Sequence, residues 1–466
     1  MKHHNFFLIS STLLLLLLLL TRCKKDYLDQ KPDLSKAVPS TLGDCQAMLD
    51  DYDRMNAQFP DHGEAAADNY YMTDVNYDRL PPVNGTPEQR YNYSWQPEGE
   101  HVSQYSSGYQ IVYSANMVLS VLGKLSSSDP SFNTVKGSAL FFRAFAIYHL
   151  AQLFCKPYTA VTAKTDLGIP LRLTADPNEV SARGTVQQVY DRITADLIEA
   201  VSLLPLEVVK KSRPSKAAAY AALARVYLSM EDYTNAGKMA NECLKLQNTL
   251  IDYNATSSPA TFTTVNSNLT GPSFVRFNTE VIFQAVTQGG ILSQAIALIR
   301  PDLYNSYNLK DRRRTVFFQN AGANVVFRGN YDGISSAVLF MGLATNEMYL
   351  IRAECYARIG NIALAMQDLN TLMAKRMVRP YVNRTATSAH NALVQILTER
   401  RKELIFRTLR WTDLRRLNKD PQFAITLRRD MNNITYEPLK PNDLRYTFLI
   451  PTKEVILLTG MEQNPR

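Results

Sequence analysis

The sequence predicts an all-α-dominated fold in which tetratricopeptide-like helical hairpins support an irregular, loop-rich face with few short strands. Two observations carry this expectation. The first is a repeated spacing. In "SKAAAYAALARVYLSMEDYTNAGKMANECLKL" it runs Tyr220, Leu223, Ala224, Tyr227, then Ala236 and Ala240; in "NEMYLIRAECYARIGNIALAMQDLNTLMAKR" it runs Tyr349, Arg352, Ala353, Tyr356, then Ala365 and Leu369. Such ladders place small residues where two antiparallel helices approach and bulky ones in the gaps around them. The second is a change of character between the repeats. Thr, Ser, Asn, Gly and β-branched residues dominate 250–340, and 60–110 interleaves aromatics with Asp, Asn, Pro and Gly. Both compositions suit loops and short strands.

In chain order, Lys2 precedes a fifteen-residue apolar run, Phe6 to Leu20. This is the layout of a secretory leader, and it falls short of the ~20 residues a membrane-crossing helix needs. The run stops at Leu20-Thr21-Arg22-Cys23, which resembles a bacterial lipoprotein box, with Arg22 where such boxes carry a small residue. On this reading 1–22 is a lipoprotein signal peptide, Cys23 is the lipidated first residue, 23–40 is a tether and 41–466 is a single domain. A chance cysteine beside an ordinary signal cleavage site is the alternative, and on either reading the chain leaves the cytoplasm. Repeat helices are expected over 133–247 and 344–418. A third first-helix copy, Leu140, Arg143, Ala144 and Ile147, has its partner displaced to Val186–Leu204 by an insertion containing Pro157, Gly168, Pro170 and Pro177. Met230-Glu231-Asp232 and Gly360-Asn361 occupy the hairpin turns. A last helical run, Asn391 to Leu417, carries "ERRKELIFRTLRWTDLRR", whose acids and bases fall at i,i+3 and i,i+4 and are expected to pair along the helix.

At 45% hydrophobic and 20% charged, the chain reads as globular. Its net charge of +8 is unevenly spread: residues 41–100 hold twelve acids against three bases, and 371–420 twelve bases against four acids. In an exported chain this points to internal ion pairing and partner contacts rather than nucleic acid. Cys45, Cys155, Cys243 and Cys355 form no CxxC and have no His at ligand spacing, so neither a metal site nor a dense disulfide framework is expected. A Cys45–Cys155 bridge stays open. No cofactor is expected. Glu399 and Glu403 share a helix face, but Arg400, Arg401, Lys402 and Arg407 around them hold both ionised, whereas a glycosidase needs one carboxyl protonated. Glu64 and Asp68, four apart in the acidic region, are better suited to ligand contact. With no Gly-x-Ser-x-Gly, His-Glu-x-x-His or phosphate-binding glycine loop, the chain reads as a binder and not an enzyme.

Several blocks, in order, resemble one family across nearly the whole mature chain: "CKKDYLDQKP", "FFRAFAIYHLAQLF", "LGIPLRL", "TVQQVYDRITADLIEAVSLLP" leading into "RPSKAAAYAALARVYL", "EMYLIRAECYARIGN", "ERRKELIFRTLRWTDLRR" and "FLIPTKEVILLTGMEQNPR". The family is the SusD/RagB nutrient-binding lipoproteins of the Gram-negative outer membrane. Arg407-Thr408 departs from it, standing where the family commonly has Glu-Gly. The resemblance implies a lipid-anchored protein on the outer surface that sits as a lid on a SusC-like TonB-dependent transporter and captures nutrients, most often glycans, for import. It also implies ligand contacts from the loops outside the repeat helices. A sugar ring has one apolar face and a rim of hydroxyls, so its site needs an exposed aromatic platform beside amide, carboxylate or guanidinium groups. "ADNYYMTDVNYDRL" supplies Asp68, Asn69, Tyr70, Tyr71, Tyr77 and Arg79, and "YNYSWQPEG" adds Tyr93 and Trp95. The 285–332 segment adds Gln288, Tyr304, Tyr307 and Tyr331 as secondary candidates. Trp411 is the second of only two tryptophans, so the platform is expected to be tyrosine-built, and a peptide remains the alternative ligand. A tetratricopeptide interaction scaffold is the further alternative; the two long aromatic and polar insertions speak against it.

Overall fold

The computed structural model describes residues 39–80, 88–126, 128–255, 262–263, 273–333 and 338–466. The expected leader, Cys23 and all of the tether but its last two residues lie outside them. Residues 41–466 make one compact unit. Short helices come first: α1 (Leu42–Leu49), α2 (His62–Ala66), α3 (Asp74–Arg79) and α4 (Glu88–Ser94). The long ones α5 (Val102–Leu122), α6 (Phe132–Phe154) and α7 (Val186–Leu203) follow, then the hairpin α8 (Lys216–Ser229) and α9 (Tyr233–Leu246). After α10 (Pro301–Ser306) come the hairpin α11 (Thr345–Arg358) and α12 (Ile362–Met373), then α13 (Ala389–Glu403) and α14 (Arg410–Leu417). From α5 to α9 each long helix packs on the next, and α11 continues the stack against α9.

Side-chain caps start five of the repeat helices, though neither α6 nor α11. Thr185, Ser215, Asp232, Asn361 and Ser388 each accept a backbone N–H from the third residue on. Each cap satisfies one of the donors that a helix start leaves without a partner. The small rungs of the ladders, Ala224, Ala236, Ala240, Ala353 and Ala365, are completely buried, and Leu223 and Leu369 fill the space beside them. Arg143 and Arg352 hold equivalent rungs and each forks onto an acid of its partner helix, Asp196 at 2.7 and 2.8 Å and Asp368 at 2.8 and 2.7 Å. At the same rung of the middle repeat stands Leu223. Helix α6 is the spine. Every residue from Gly137 to Phe154 is buried, as befits a helix apolar all round. Gly108 of α5 lets that spine come close, since a Cβ there would lie 2.6 Å from Leu150 Cδ2.

The structure corrects two expectations and decides one open alternative. Residues 60–110 are not mainly loop: α2, α3, α4 and the start of α5 occupy much of them. Helices of five to seven residues are too short to leave a periodic signal in the sequence. Next, Cys45 and Cys155 are buried free thiols, not a bridge, as are Cys243 and Cys355. Finally, the run 391–417 is two helices parted at Leu404–Leu409, where Phe406 and Thr408 take left-handed φ of 54° and 58°. Its ion pairs mostly leave the helix. Fully buried Arg313 pairs with Asp311 at 2.7 Å, with Glu403 at 3.1 Å and with Glu399. Arg376 joins Glu280 at 2.7 Å to Glu403 at 2.8 Å. Only Lys402–Glu399 and Arg416–Asp413 keep the i,i+3 pattern. This buried network fastens the 273–333 region to α13. Besides α10 and two shorter helical turns, that region contributes short strands, all in two-stranded antiparallel pairs.

Candidate ligand-binding face

Four short strands organise the loop-rich face. β1 (Tyr70–Tyr71) pairs with β2 (Leu298–Ile299), and β3 (Phe318–Ala321) and β4 (Asn324–Phe327) form a hairpin that packs beside β2. A second hairpin, β5 (Asp430–Met431) and β6 (Ile434–Thr435), closes over α3: the Asn432 amides donate to Asp74 Oδ1 at 2.9 Å and to Asp78 Oδ1 at 2.8 Å.

Most of the expected aromatic platform is turned inward. Tyr70, Tyr77, Tyr93 and Trp95 are at most 5% exposed. Tyr70 donates its hydroxyl to Ala65 O at 2.6 Å, Trp95 its indole N–H to Ala66 O at 2.9 Å, and the Tyr93 hydroxyl accepts the Met72 N–H at 3.2 Å. Tyr77 meets Tyr436, hydroxyl to hydroxyl, at 3.0 Å. Tyr70, Tyr93 and Trp95 surround the Arg429 guanidinium, whose carbon lies 4.0 Å from the Tyr93 ring centre, 5.0 Å from that of Trp95 and 5.3 Å from that of Tyr70. Arg429 also donates to Tyr70 O at 2.9 Å and Ala67 O at 2.6 Å. A ring that stacks on a buried cation and spends its polar tip on the backbone supports the face from below and has no side left for a ligand. Tyr307 and Tyr331 are likewise buried, their hydroxyls donated to Lys402 O at 2.8 Å and to Glu280.

The acidic candidates are also committed. Asp68 takes a two-pronged hydrogen bond from Arg410, at 2.6 and 3.0 Å, and an ion pair with Arg401 at 3.0 Å. Burial raises its carboxyl, but the charges of Arg410 and Arg401 outweigh that and hold it well below the ordinary carboxylate value. Asn69 is buried and donates to Glu64 Oε1 at 3.0 Å. Burial pushes Glu64 up to about 7, more than Asn69 and Arg410 pull it down.

Four expected residues remain at the surface. Tyr71 is half-buried and gives its hydroxyl to Asn324 Oδ1 at 3.0 Å, which ties β1 to the β3–β4 hairpin. Tyr304, also half-buried, packs edge-on to Phe318 of that hairpin at 5.4 Å and carries Arg314 4.0 Å above its ring centre. Arg79 is exposed at the end of α3, and Gln288 is exposed at the mouth of a separate cleft. Side-chain amides missed in the sequence complete the surface. Asn76 bridges Ala295 O and Ile296 O, both at 3.2 Å, and Gln294 donates to Phe327 O at 2.7 Å and meets Gln319 at 3.4 Å. Tyrosine edges set among amides and carbonyls fit an uncharged, hydroxyl-rich ligand lying along a surface. No group of three or more His, Cys, Asp or Glu suited to a metal ion is found among the described residues, and no described helix is long and apolar enough to cross a membrane.

Comparison with known proteins fits this architecture. A SusD-like family model described as "Starch-binding associating with outer membrane" matches residues 26–228, and the SusD family model matches 331–466. SusD-like protein P2 of Formosa agariphila is 26% identical over 394 residues, 72% of this chain and 75% of its own. Among solved structures, a SusD superfamily protein from Bacteroides vulgatus superposes with a TM-score of 0.73 at 21% identity, over 92% of this chain and 99% of its own. A laminarin-binding SusD-like protein superposes at 0.64 and 18% identity, over 90% and 97%. These structures share the fold of stacked helices bearing a loop-rich face, and with the two family matches spanning both ends of the chain, the protein belongs to the SusD/RagB family.

Proposed function

We propose that this protein is a cell-surface nutrient-binding lipoprotein. It captures oligo- or polysaccharide on the face around Tyr71, Tyr304 and the β3–β4 hairpin, and passes it to a SusC-like TonB-dependent transporter in the outer membrane. The observation that carries the reading is the family match over 26–228, described by starch binding and association with the outer membrane. The amide-rich surface at Asn76, Gln294, Gln319 and Asn324 supports it, since these groups both donate to and accept from sugar hydroxyls. Binding without turnover agrees with the fate of the acidic pairs. Glu399 and Glu403 are locked by guanidinium groups, and Asp68 by two arginines. Anchoring rests on Cys23. A single acyl chain holds a protein only marginally, so several on one cysteine would be needed for stable attachment.

The test has three arms. Isothermal titration against a panel of neutral hexasaccharides and of peptides should give saturable binding with saccharides, weakened at least tenfold in Tyr71→Ala that melts like the wild type. Binding to peptides alone overturns the glycan assignment. Extraction of native membranes in mild detergent should recover the protein with a large β-barrel, and Cys23→Ala should release it into the soluble fraction; repeated recovery alone, or a mutant that stays on the membrane, overturns the partner or the anchor.

A further inference from the structure

A cleft of about 270 Å³ opens beside the loop-rich face, where the two long non-repeat regions meet the start of α5. Its floor is Asp61, which is 7% exposed, with Phe59 and Thr287, both buried. Gln89, Gln104, Ser103 and Ser107 make one wall, and Gln288 and Ile291 the other. Gln104 fixes the floor, its Oε1 accepting the N–H of Asp61 at 2.6 Å and of His62 at 3.0 Å. Glu88 braces the wall behind by accepting from Val102 N–H at 2.9 Å and the Ser103 hydroxyl at 2.8 Å. The mouth depends on a glycine. Gly290 has φ +51°, and a Cβ there would lie 2.8 Å from Gln89 Nε2.

The chemistry of the lining is narrow. No lysine or arginine contributes to it, so a phosphate, sulfate or uronate would find no countercharge. His62 does not supply one, since burial drops it to about 3 and it faces His101 with Nδ1 to Nδ1 at 2.8 Å. One carboxyl, several amides and several hydroxyls around Phe59 and Ile291 match a small molecule with an apolar face and many hydroxyls. The volume lies just under the roughly 300–1,000 Å³ typical of ligand pockets, which suits one ring and not a chain. We propose that this cleft is a second carbohydrate site, which takes a single uncharged pyranose ring with Asp61 accepting its hydroxyls and Gln89, Gln104 and Gln288 closing around its rim. The inference rests on the protein being a carbohydrate binder but not on where the larger face binds.

Saturation-transfer NMR and titration with the methyl glycosides of glucose, galactose and mannose, alongside the hexasaccharide panel, test it. At least one methyl glycoside should bind the wild type. Its affinity should fall at least tenfold in Ser107→Trp, which fills the cleft, and at least threefold in Gln288→Ala. Gln288 is exposed, so its variant folds even where the tryptophan disturbs α5, and it then decides the matter. Three results overturn the cleft while leaving the larger proposal standing. The hexasaccharides bind but no methyl glycoside does; the methyl glycoside ignores both cleft variants; or it is lost only in Tyr71→Ala, which would put the ring on the loop-rich face. If neither size of saccharide binds the wild type, both proposals fall.

Discussion

Thr408 holds a φ of 58°, a region that costs a β-branched residue about 1–2 kcal/mol and glycine nothing. Its hydroxyl returns only a bond to Arg407 O at 2.7 Å. Thr408→Gly should therefore stabilise the protein by about 1 kcal/mol, read as a shift of the urea midpoint at unchanged slope. Arg407 beside it lies 3.6 Å over the Tyr331 ring, so the residue pair that departs from the family pattern has found an aromatic partner rather than an acid. Arg429 carries more. Arg429→Ala would leave the carbonyls of Ala67 and Tyr70 buried without partners and three rings without their cation, an expected loss of about 3 kcal/mol or more in urea unfolding. Glu64 gives a pH signature. Its folded value of about 7 exceeds the ordinary 4.5, so the folded state binds the extra proton between those limits. Its contribution is fully present below about 4.5 and lost as pH rises through about 7. Against Glu64→Gln, the wild type should gain on the order of 3 kcal/mol as pH falls across that window; a constant difference would show that Glu64 does not take up the proton.

At the level of elements, the hairpin turns offer a clean measurement. Gly360 closes α11–α12 with φ +82°, and a Cβ there meets nothing within 4 Å. Gly360→Ala should thus cost about 1 kcal/mol of purely backbone origin. The buried ionic network is a harsher test. Arg376→Ala strands Glu280 without a cation and leaves Glu403 to Arg313 alone, and breaking such a buried pair costs about 3–5 kcal/mol. Because Glu280 belongs to the 273–333 region, that region should lose amide-exchange protection before the α8–α9 hairpin does. The repeat hairpins were legible in sequence because their signal is local: a 3.6-residue period, small rungs and capping residues within one stretch. The break in 391–417 was not, since phenylalanine and threonine give no sign of a left-handed backbone. Nor were the partners of its charges, since Arg313 lies 86 positions from Glu399.

Across the whole molecule, the candidate site was legible in outline and not in detail. The composition of the two insertions marked the loop-rich face, and Tyr71, Tyr304, Arg79 and Gln288 do reach the surface. Tyrosine and tryptophan serve equally as ligand platform or as core, however, and what decides between them here is Arg429, 336 residues from Tyr93. The uneven charge was a truer guide. The acidic 41–100 stretch and the basic 371–420 stretch bind each other through Asp68 with Arg401 and Arg410. That embrace sets an order of events as the chain is made. Synthesis runs from the N-terminus, so Asp68, Tyr70, Tyr93 and Trp95 exist for more than 300 residues before the arginines that satisfy them. Until residues 401–429 appear, the loop-rich face is open and adhesive, whereas the α5–α9 helices already have one another and lack chiefly Arg415, which donates to Gln152 O and Cys155 O. Ribosome-stalled chains ending before residue 400 should accordingly show protease-resistant α5–α9 and a freely cleaved 60–100 stretch, which becomes resistant once the chain passes residue 429.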